Sequence, residues 1–237
     1  NTINFVKLKL KDAEAGHDWF HIERVWKLSR LIAEKESGNL EIIELGALLH
    51  DIADPKFHDG DEDLALKISR EFLDSKNLEE EKIEKVMFII KYISFKNRNE
   101  KTEISAENPV KELQIVQDAD RLDALGAIGI ARTFNFGGFK NNLMYDPEIL
   151  PKLNMTKAAY QKSNGTTSNH FNEKLLLLKT LMNTQHAKKI HSKSKDCMES
   201  LRPGPKSRRV RLADNDGAGP PHPRYQEVVL NGYVIII

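Results

Sequence analysis

Two histidines and a short run of aspartates stand in stretches that are otherwise apolar. His21 shares a helical stripe with Val25, Leu28 and Ile32, at steps of four, seven and eleven, so it points inward. His50 lies on the stripe of Ile43 and Ala47, and Asp51 follows it beside Leu48. Asp120, within Gln117-Asp118-Ala119-Asp120-Arg121-Leu122-Asp123-Ala124, shares a stripe with Leu113, Val116 and Ala124. Each piece has a plain structural explanation: a core histidine with one hydrogen bond, an Asp51 paired with Arg24 or capping a turn, a solvated acidic patch. Yet a carboxylate buried without a partner is costly. Three aspartates on one apolar helix repel each other unless positive charge is near, and Arg121 answers only one of them. Taken together the pieces offer two imidazoles and two carboxylates from three helices. This nitrogen and oxygen donor set suits Mn²⁺, Fe²⁺, Ni²⁺, Co²⁺ or Zn²⁺ better than Ca²⁺, with Mg²⁺ also admissible. Four protein ligands leave room on a six-coordinate ion for water, made acidic enough to supply hydroxide near neutral pH.

The elements that must position these groups read as helices. A short opening helix carries Phe5, Leu8 and Leu10. The helix of His21 runs from about Asp18 to Ser37, with Gly38 as its stop. The next spans about Leu40 to Ala53 and ends before Pro55. Two more lie near Asp61–Ser75 and Glu79–Phe95. Pro109 suits the start of the aspartate helix, which reaches about Phe134 with a break near Gly126 or Gly129. Gly137 and Gly138 open a loop over Phe139–Thr167, and Ser168–Ile190 is helical, with Phe171, Leu175, Leu178 and Met182 on one face. The expected class is all-α. Past Ile190 the chain turns basic and rich in Pro and Gly, the composition of a disordered tail, with one strand-like run at Val228–Ile237. The expected division is a domain over residues 1–190 and an atypical tail over 191–237.

With 40% hydrophobic and 30% charged residues among 237, the balance is that of a soluble globular protein. A net charge of +1 sets up no strong field towards nucleic acid or anionic lipid. The lone Cys197 excludes an internal disulfide or a cysteine-built zinc site and fits a reducing, cytoplasmic compartment. No secretory signal is read at the start, and no apolar run approaches the roughly 20 residues of a membrane span. A homo-oligomer is compatible with this composition.

His17-Asp18-x-x-His21-x-x-Arg24-Val25, then His50-Asp51, then Asp118-Ala119-Asp120-Arg121-Leu122, in that order, resembles the HD superfamily of metal-dependent phosphohydrolases. The form of the His50 segment is similar to that of small bacterial-type members, some of which are nucleotide pyrophosphatases. The resemblance covers about residues 15–190 and implies a helical bundle. It implies His21, His50, Asp51 and Asp120 as metal ligands, Asp118 being the alternative for the last. It also implies Asp54 as the group that moves a proton at the attacking water or leaving group, although a carboxylate before Pro55 equally suits a helix end. Arg24, one turn beyond His21, would orient a ligand carboxylate or form an ordinary salt bridge. For the phosphate, Lys96 is preferred over Lys91, Arg98 and Lys140, with Arg121 a further cation. His170, beside Asn169 after the Gly-Thr-Thr loop, would border the cleft, whereas His58 reads as a loop residue. Ser168 would cap the following helix.

The implied activity is hydrolysis of a phosphoester or phosphoanhydride, of a nucleotide most of all. Attack at the α-phosphorus would release pyrophosphate, and attack at a terminal phosphate would release phosphate. The alternatives are a catalytically silent, metal-containing nucleotide-binding or scaffold protein and a di-iron oxygenase, which needs further histidines that only His17, His58 and His170 could supply. In the tail this sequence departs from the family. If a family helix is missing there, Leu176 or Leu177 would be left exposed.

Overall fold

A computed structural model of the protein describes residues 1–14, 16–53, 58, 61, 63–93, 108–153, 165–199, 227–230 and 233–236. Helices dominate, as the periodicity requires: α1 (Thr2–Lys9), α2 (Trp19–Glu36), α3 (Leu40–Leu49), α4 (Leu64–Asp74), α5 (Glu80–Tyr92), α6 (Val110–Asp123) and α7 (Gly126–Phe139). A composite segment of π, α and 3₁₀ turns follows over Phe171–Leu181, and then α8 (Gln185–Glu199). The strand-like run is an antiparallel pair within itself, β1 (Glu227–Leu230) with β2 (Tyr233–Ile236), Glu227 opposite Ile236 and Leu230 opposite Tyr233.

α3 is the apolar axis of the bundle. It packs against α1, α2, α5 and α6, and buries Ile42, Ile43, Ala47, Leu48 and Leu49. Each buried Ile or Leu side chain contributes roughly 1.5–3 kcal/mol of transfer free energy. Asn39 starts α3 by accepting hydrogen bonds from the amides of Glu41 and Ile42, and its own amide donates to Glu112 Oε1 of α6 at 2.8 Å. Asp18 caps α2 by accepting from the His21 amide at 3.1 Å. These two caps fix where His21 and His50 fall along their helices.

α6 ends at Ala124, and the chain turns through Gly126, whose φ is +66°. Gly129 completes the turn: a Cβ there would lie 2.2 Å from the Ala124 carbonyl oxygen. The expected break near Gly126 is thus where the structure has it.

Several expected boundaries differ. Leu8 is 71% exposed and Val6 takes the inward position on α1. Gly137 and Gly138 lie inside the last turn of α7 and open no loop, and a Cβ on Gly137 would stand 2.1 Å from Thr167 Oγ1. Ser168 caps no helix; its hydroxyl donates to the Met144 carbonyl, and Thr166 Oγ1 accepts the Asn169 amide instead. The Ser168–Ile190 stretch is interrupted at Met182, which takes up extended backbone. Phe171, Leu175, Leu178 and Met182 are nonetheless all buried, and Leu176 and Leu177 are half-buried rather than exposed. α8 runs on to Glu199, past the compositional boundary at Ile190. Among the described residues no helix is long and apolar enough to cross a membrane.

Candidate metal centre

α2, α3 and α6 bring His21, His50, Asp51 and Asp120 to one place. His21 Nε2 stands 3.8 Å from Asp51 Oδ2 and 3.7 Å from Asp120 Oδ1. His50 Nε2 is 4.0 Å from the same Asp120 oxygen. The donor atoms of His21, His50 and Asp51 all lie within 4.8 Å of one another. These separations exceed a hydrogen bond. They match donors sharing one ion, since ligands about 2.0–2.5 Å from a cation sit roughly 3–4 Å apart.

The protonation pattern agrees. His50 Nδ1 donates to the Ala47 carbonyl at 2.8 Å, so its proton is placed there and Nε2 carries the lone pair. That Nε2 is buried and has no hydrogen-bond partner among the described residues. A buried acceptor left bare costs free energy, and a divalent cation would satisfy it. His21 likewise donates from Nδ1 to Asp123 Oδ2 at 2.8 Å and turns Nε2 towards the cluster. Burial holds the His21 imidazole below its ordinary pKa, against the raising effect of the Asp123 hydrogen bond. Burial would raise Asp120, but the nearby His50, His21, Arg132 and Lys174 bring it below its ordinary value. The residues present therefore fit a divalent metal: two imidazole Nε2 atoms and two carboxylates facing one place.

The three aspartates of α6 answer three different demands. Asp120, 34% exposed at its side chain, faces the imidazoles. Asp118 is fully buried and points away from them. Its oxygens accept from the amides of Asn183 and Thr184, the Thr184 hydroxyl and Arg121 Nη1. Asp123 accepts from His21, from Arg24 Nε at 2.5 Å and from Arg132 Nη1 at 2.7 Å. Burial would raise its pKa, but the hydrogen bonds from His21 and Arg24 and the charge of Arg132 bring it well below the carboxylate range.

Residues 19–125 match the HD domain family. The chain is similar to an HD-superfamily hydrolase of known structure from Bacillus thuringiensis, with 43% identity and a TM-score of 0.61 over 84% of this chain and 90% of that one. The protein belongs to the HD superfamily of hydrolases. A structure from Lactobacillus plantarum is similar at 35% identity and a TM-score of 0.72, over 84% and 90% of the two chains. YpgQ of Bacillus subtilis is 38% identical over 189 residues, 78% of this chain and 81% of that protein. The structure of YpgQ in complex with ADP is similar with a TM-score of 0.61, over 83% of this chain and 92% of that one.

Other expected residues of this HD-superfamily chain fall differently. Arg121 is no free cation for phosphate: it is bound to Asp118, to the Leu181 carbonyl and to Gln117 Oε1, and its side chain is 11% exposed. Arg24 holds Asp123, behind His21, and not a carboxylate of the cluster. His170 is half-buried at the start of the Phe171–Leu175 π turn, outside the group of His21, His50 and Asp51. His58 sits exposed in a turn. Asp54, Lys96 and Arg98 lie outside the described residues. Sequence reasoning missed Asp123 as the partner of His21, and missed Arg132 and Lys174. The spacing of Asp120 and Asp123, one turn apart on one face, was the available signal for the first.

Proposed function

We propose that the protein is a divalent-metal-dependent phosphohydrolase acting on a nucleotide, its metal held by His21, His50, Asp51 and Asp120. The observation that carries this reading is the buried, unpartnered Nε2 of His50, set with His21 Nε2 against the same Asp120 oxygen. When bound, the cation would acidify a water and neutralise charge on a phosphoryl group. This chain's residues do the rest. The Ala47 carbonyl and Asp123 each accept from an Nδ1–H, which turns both Nε2 atoms towards the cluster. Asp120 and Asp51 supply the opposing charge at the mouth, where both side chains are partly open to solvent. Asp54 is proposed to move the proton, and Lys96 and His170 to contact the phosphates. The crystallisation of YpgQ with ADP supports a nucleotide as substrate. The catalytic unit is proposed to be residues 1–190, with 191–237 appended.

The test is turnover of a panel of nucleoside di- and triphosphates with Mn²⁺, products resolved by ion-exchange chromatography. Release of pyrophosphate and a monophosphate would place the attack at the α-phosphorus and make the enzyme a nucleotide pyrophosphatase. Release of inorganic phosphate would place it at the terminal one. Tight nucleotide binding with no product at any metal would replace the hydrolase with a silent nucleotide-binding protein.

A further inference from the structure

Behind the proposed ligands lies a second cluster, built from residues of α2, α6 and α7. Asp123 is at its centre, with a side chain only 2% exposed. One oxygen, Oδ1, accepts Arg24 Nε; the other, Oδ2, accepts His21 Nδ1, Arg132 Nη1 and, at 3.2 Å, Arg24 Nη2. Arg132 Nη1 also comes within 3.0 Å of His21 Nδ1. A ring nitrogen that already carries a proton cannot also accept from the guanidinium. The acceptor-only carboxylate at 2.8 Å decides the matter: Nδ1 is the donor, to Asp123, and the guanidinium is a neighbour that shares the same oxygen.

A single carboxylate held from two sides has almost no freedom to rotate. Arg24 approaches it from α2, two polar atoms wide, and Arg132 from α7 across the tight turn at Gly126 and Gly129. The imidazole of His21 can then present Nε2 in one direction only, towards His50, Asp51 and Asp120.

We propose that Asp123 and Arg132 are positioning residues of the site, Asp123 fixing the Nδ1–H tautomer and ring direction of His21 and Arg132 fixing Asp123. The role rests on the metal-site reading for its consequence, but the tautomer itself does not. Outer partners of this kind are worth about 10–100-fold in metal affinity. Asp123→Ala should weaken Mn²⁺ binding by that factor, and Arg132→Met by about tenfold. Arg132→Lys, which keeps the charge and one donor, should recover part of the loss.

The experiment uses the full chain and two readouts. Free Mn²⁺ is followed by electron paramagnetic resonance during titration, and the His21 ring nitrogens are followed by ¹⁵N correlation spectra in the absence of metal. The expected result is an Nδ1–H tautomer in the parent protein, tautomer exchange in Asp123→Asn and the graded affinity losses above. An Nε2–H tautomer in the parent overturns the proposal. So do Arg132→Met and Asp123→Asn variants that lower the melting temperature while keeping parental Mn²⁺ affinity, which is what a merely structural role produces. Should Asp123→Ala fail to fold, the partly exposed Arg132 variants still decide the question. A parent protein that binds no Mn²⁺ but holds the Nδ1–H tautomer would remove the metal reading and leave the positioning of His21 by Asp123 standing.

Discussion

Asp118 and Asp120 are two residues apart, and their side chains have opposite surroundings. Asp120 looks into the imidazole cluster and is partly exposed. Asp118 is sealed under the first turn of α8 and satisfied by backbone amides. Asp120→Asn is expected to reduce Mn²⁺ affinity more than tenfold with little change in stability. Asp118→Ala should leave the affinity of the folded protein near parental while removing about 3–5 kcal/mol of stability, because Arg121 and four further donors from Asn183 and Thr184 lose their acceptor. Isothermal titration and urea unfolding of both variants check this, and the reverse pattern would exchange their roles. The pH dependence also belongs to single residues. The His21 pKa is lowered on folding, so the folded state resists a proton that the unfolded chain accepts. Its contribution is full above the unfolded value of about 6.5 and is lost as pH falls below it. Asp123 is also lowered, so its contribution holds above about 3.8 and disappears as pH falls through its depressed folded value. Metal-free protein should therefore lose stability from about pH 6.5 downwards, with a limiting slope near 1.4 kcal/mol per pH unit for one proton. His21→Gln should flatten the slope below about pH 6.5. An unchanged slope in urea unfolding at stepped pH would mean that His21 is not the group responsible.

At the scale of elements, the close passage of α7 over the Thr166–Asn169 strap depends on a missing side chain. A Cβ on residue 137 would stand 2.1 Å from Thr167 Oγ1, so Gly137→Ala should cost about 1–3 kcal/mol by forcing the two apart. Differential scanning calorimetry reads that loss as a lower melting temperature, and a parental value would show that the strap moves freely. The helices bearing the ligands were legible from their sequence because each has one continuous apolar stripe, and two of them open on a capping side chain, Asp18 and Asn39. The break at Met182 was not legible. Its apolar residues keep helical spacing across the interruption, and the chain leaves the helix there so that the Asn183 and Thr184 amides can reach Asp118 on another helix. The same holds at the site. His21, His50, Asp51 and Asp120 stand out by type and stripe, but the jobs of Arg121 and Arg24 turn on which carboxylate each one meets, and that is tertiary information. Arg132 had no local signal at all, since its acceptor Asp123 is on the preceding helix, nine residues back across the turn. The continuation of α8 through a basic stretch was hidden for a further reason: composition reports charge, whereas a helix needs only an apolar face to begin, and Ala187 supplies part of one.

For the molecule as a whole, a cation bound only by the folded state adds stability by mass action, about 2.7 kcal/mol at a concentration one hundred times its dissociation constant. In a chain of this length that amounts to a rise of roughly 5–10 °C in melting temperature. Mn²⁺ should produce it and a chelator should reverse it, as followed by circular dichroism. A melting point indifferent to Mn²⁺, Fe²⁺, Ni²⁺, Co²⁺ and Zn²⁺ would count against any resident ion. The grip on His21 has one more consequence, in the order in which the chain is made. His21 is separated from Asp123 by 102 positions and from Arg132 by 111. On the ribosome, then, His21 emerges many seconds before the groups that aim it, at translation speeds of about 5–20 residues per second. Through that interval it is an ordinary imidazole, open to whatever ion is nearby, and discrimination among metals can begin only after the α7 turn has cleared the exit tunnel.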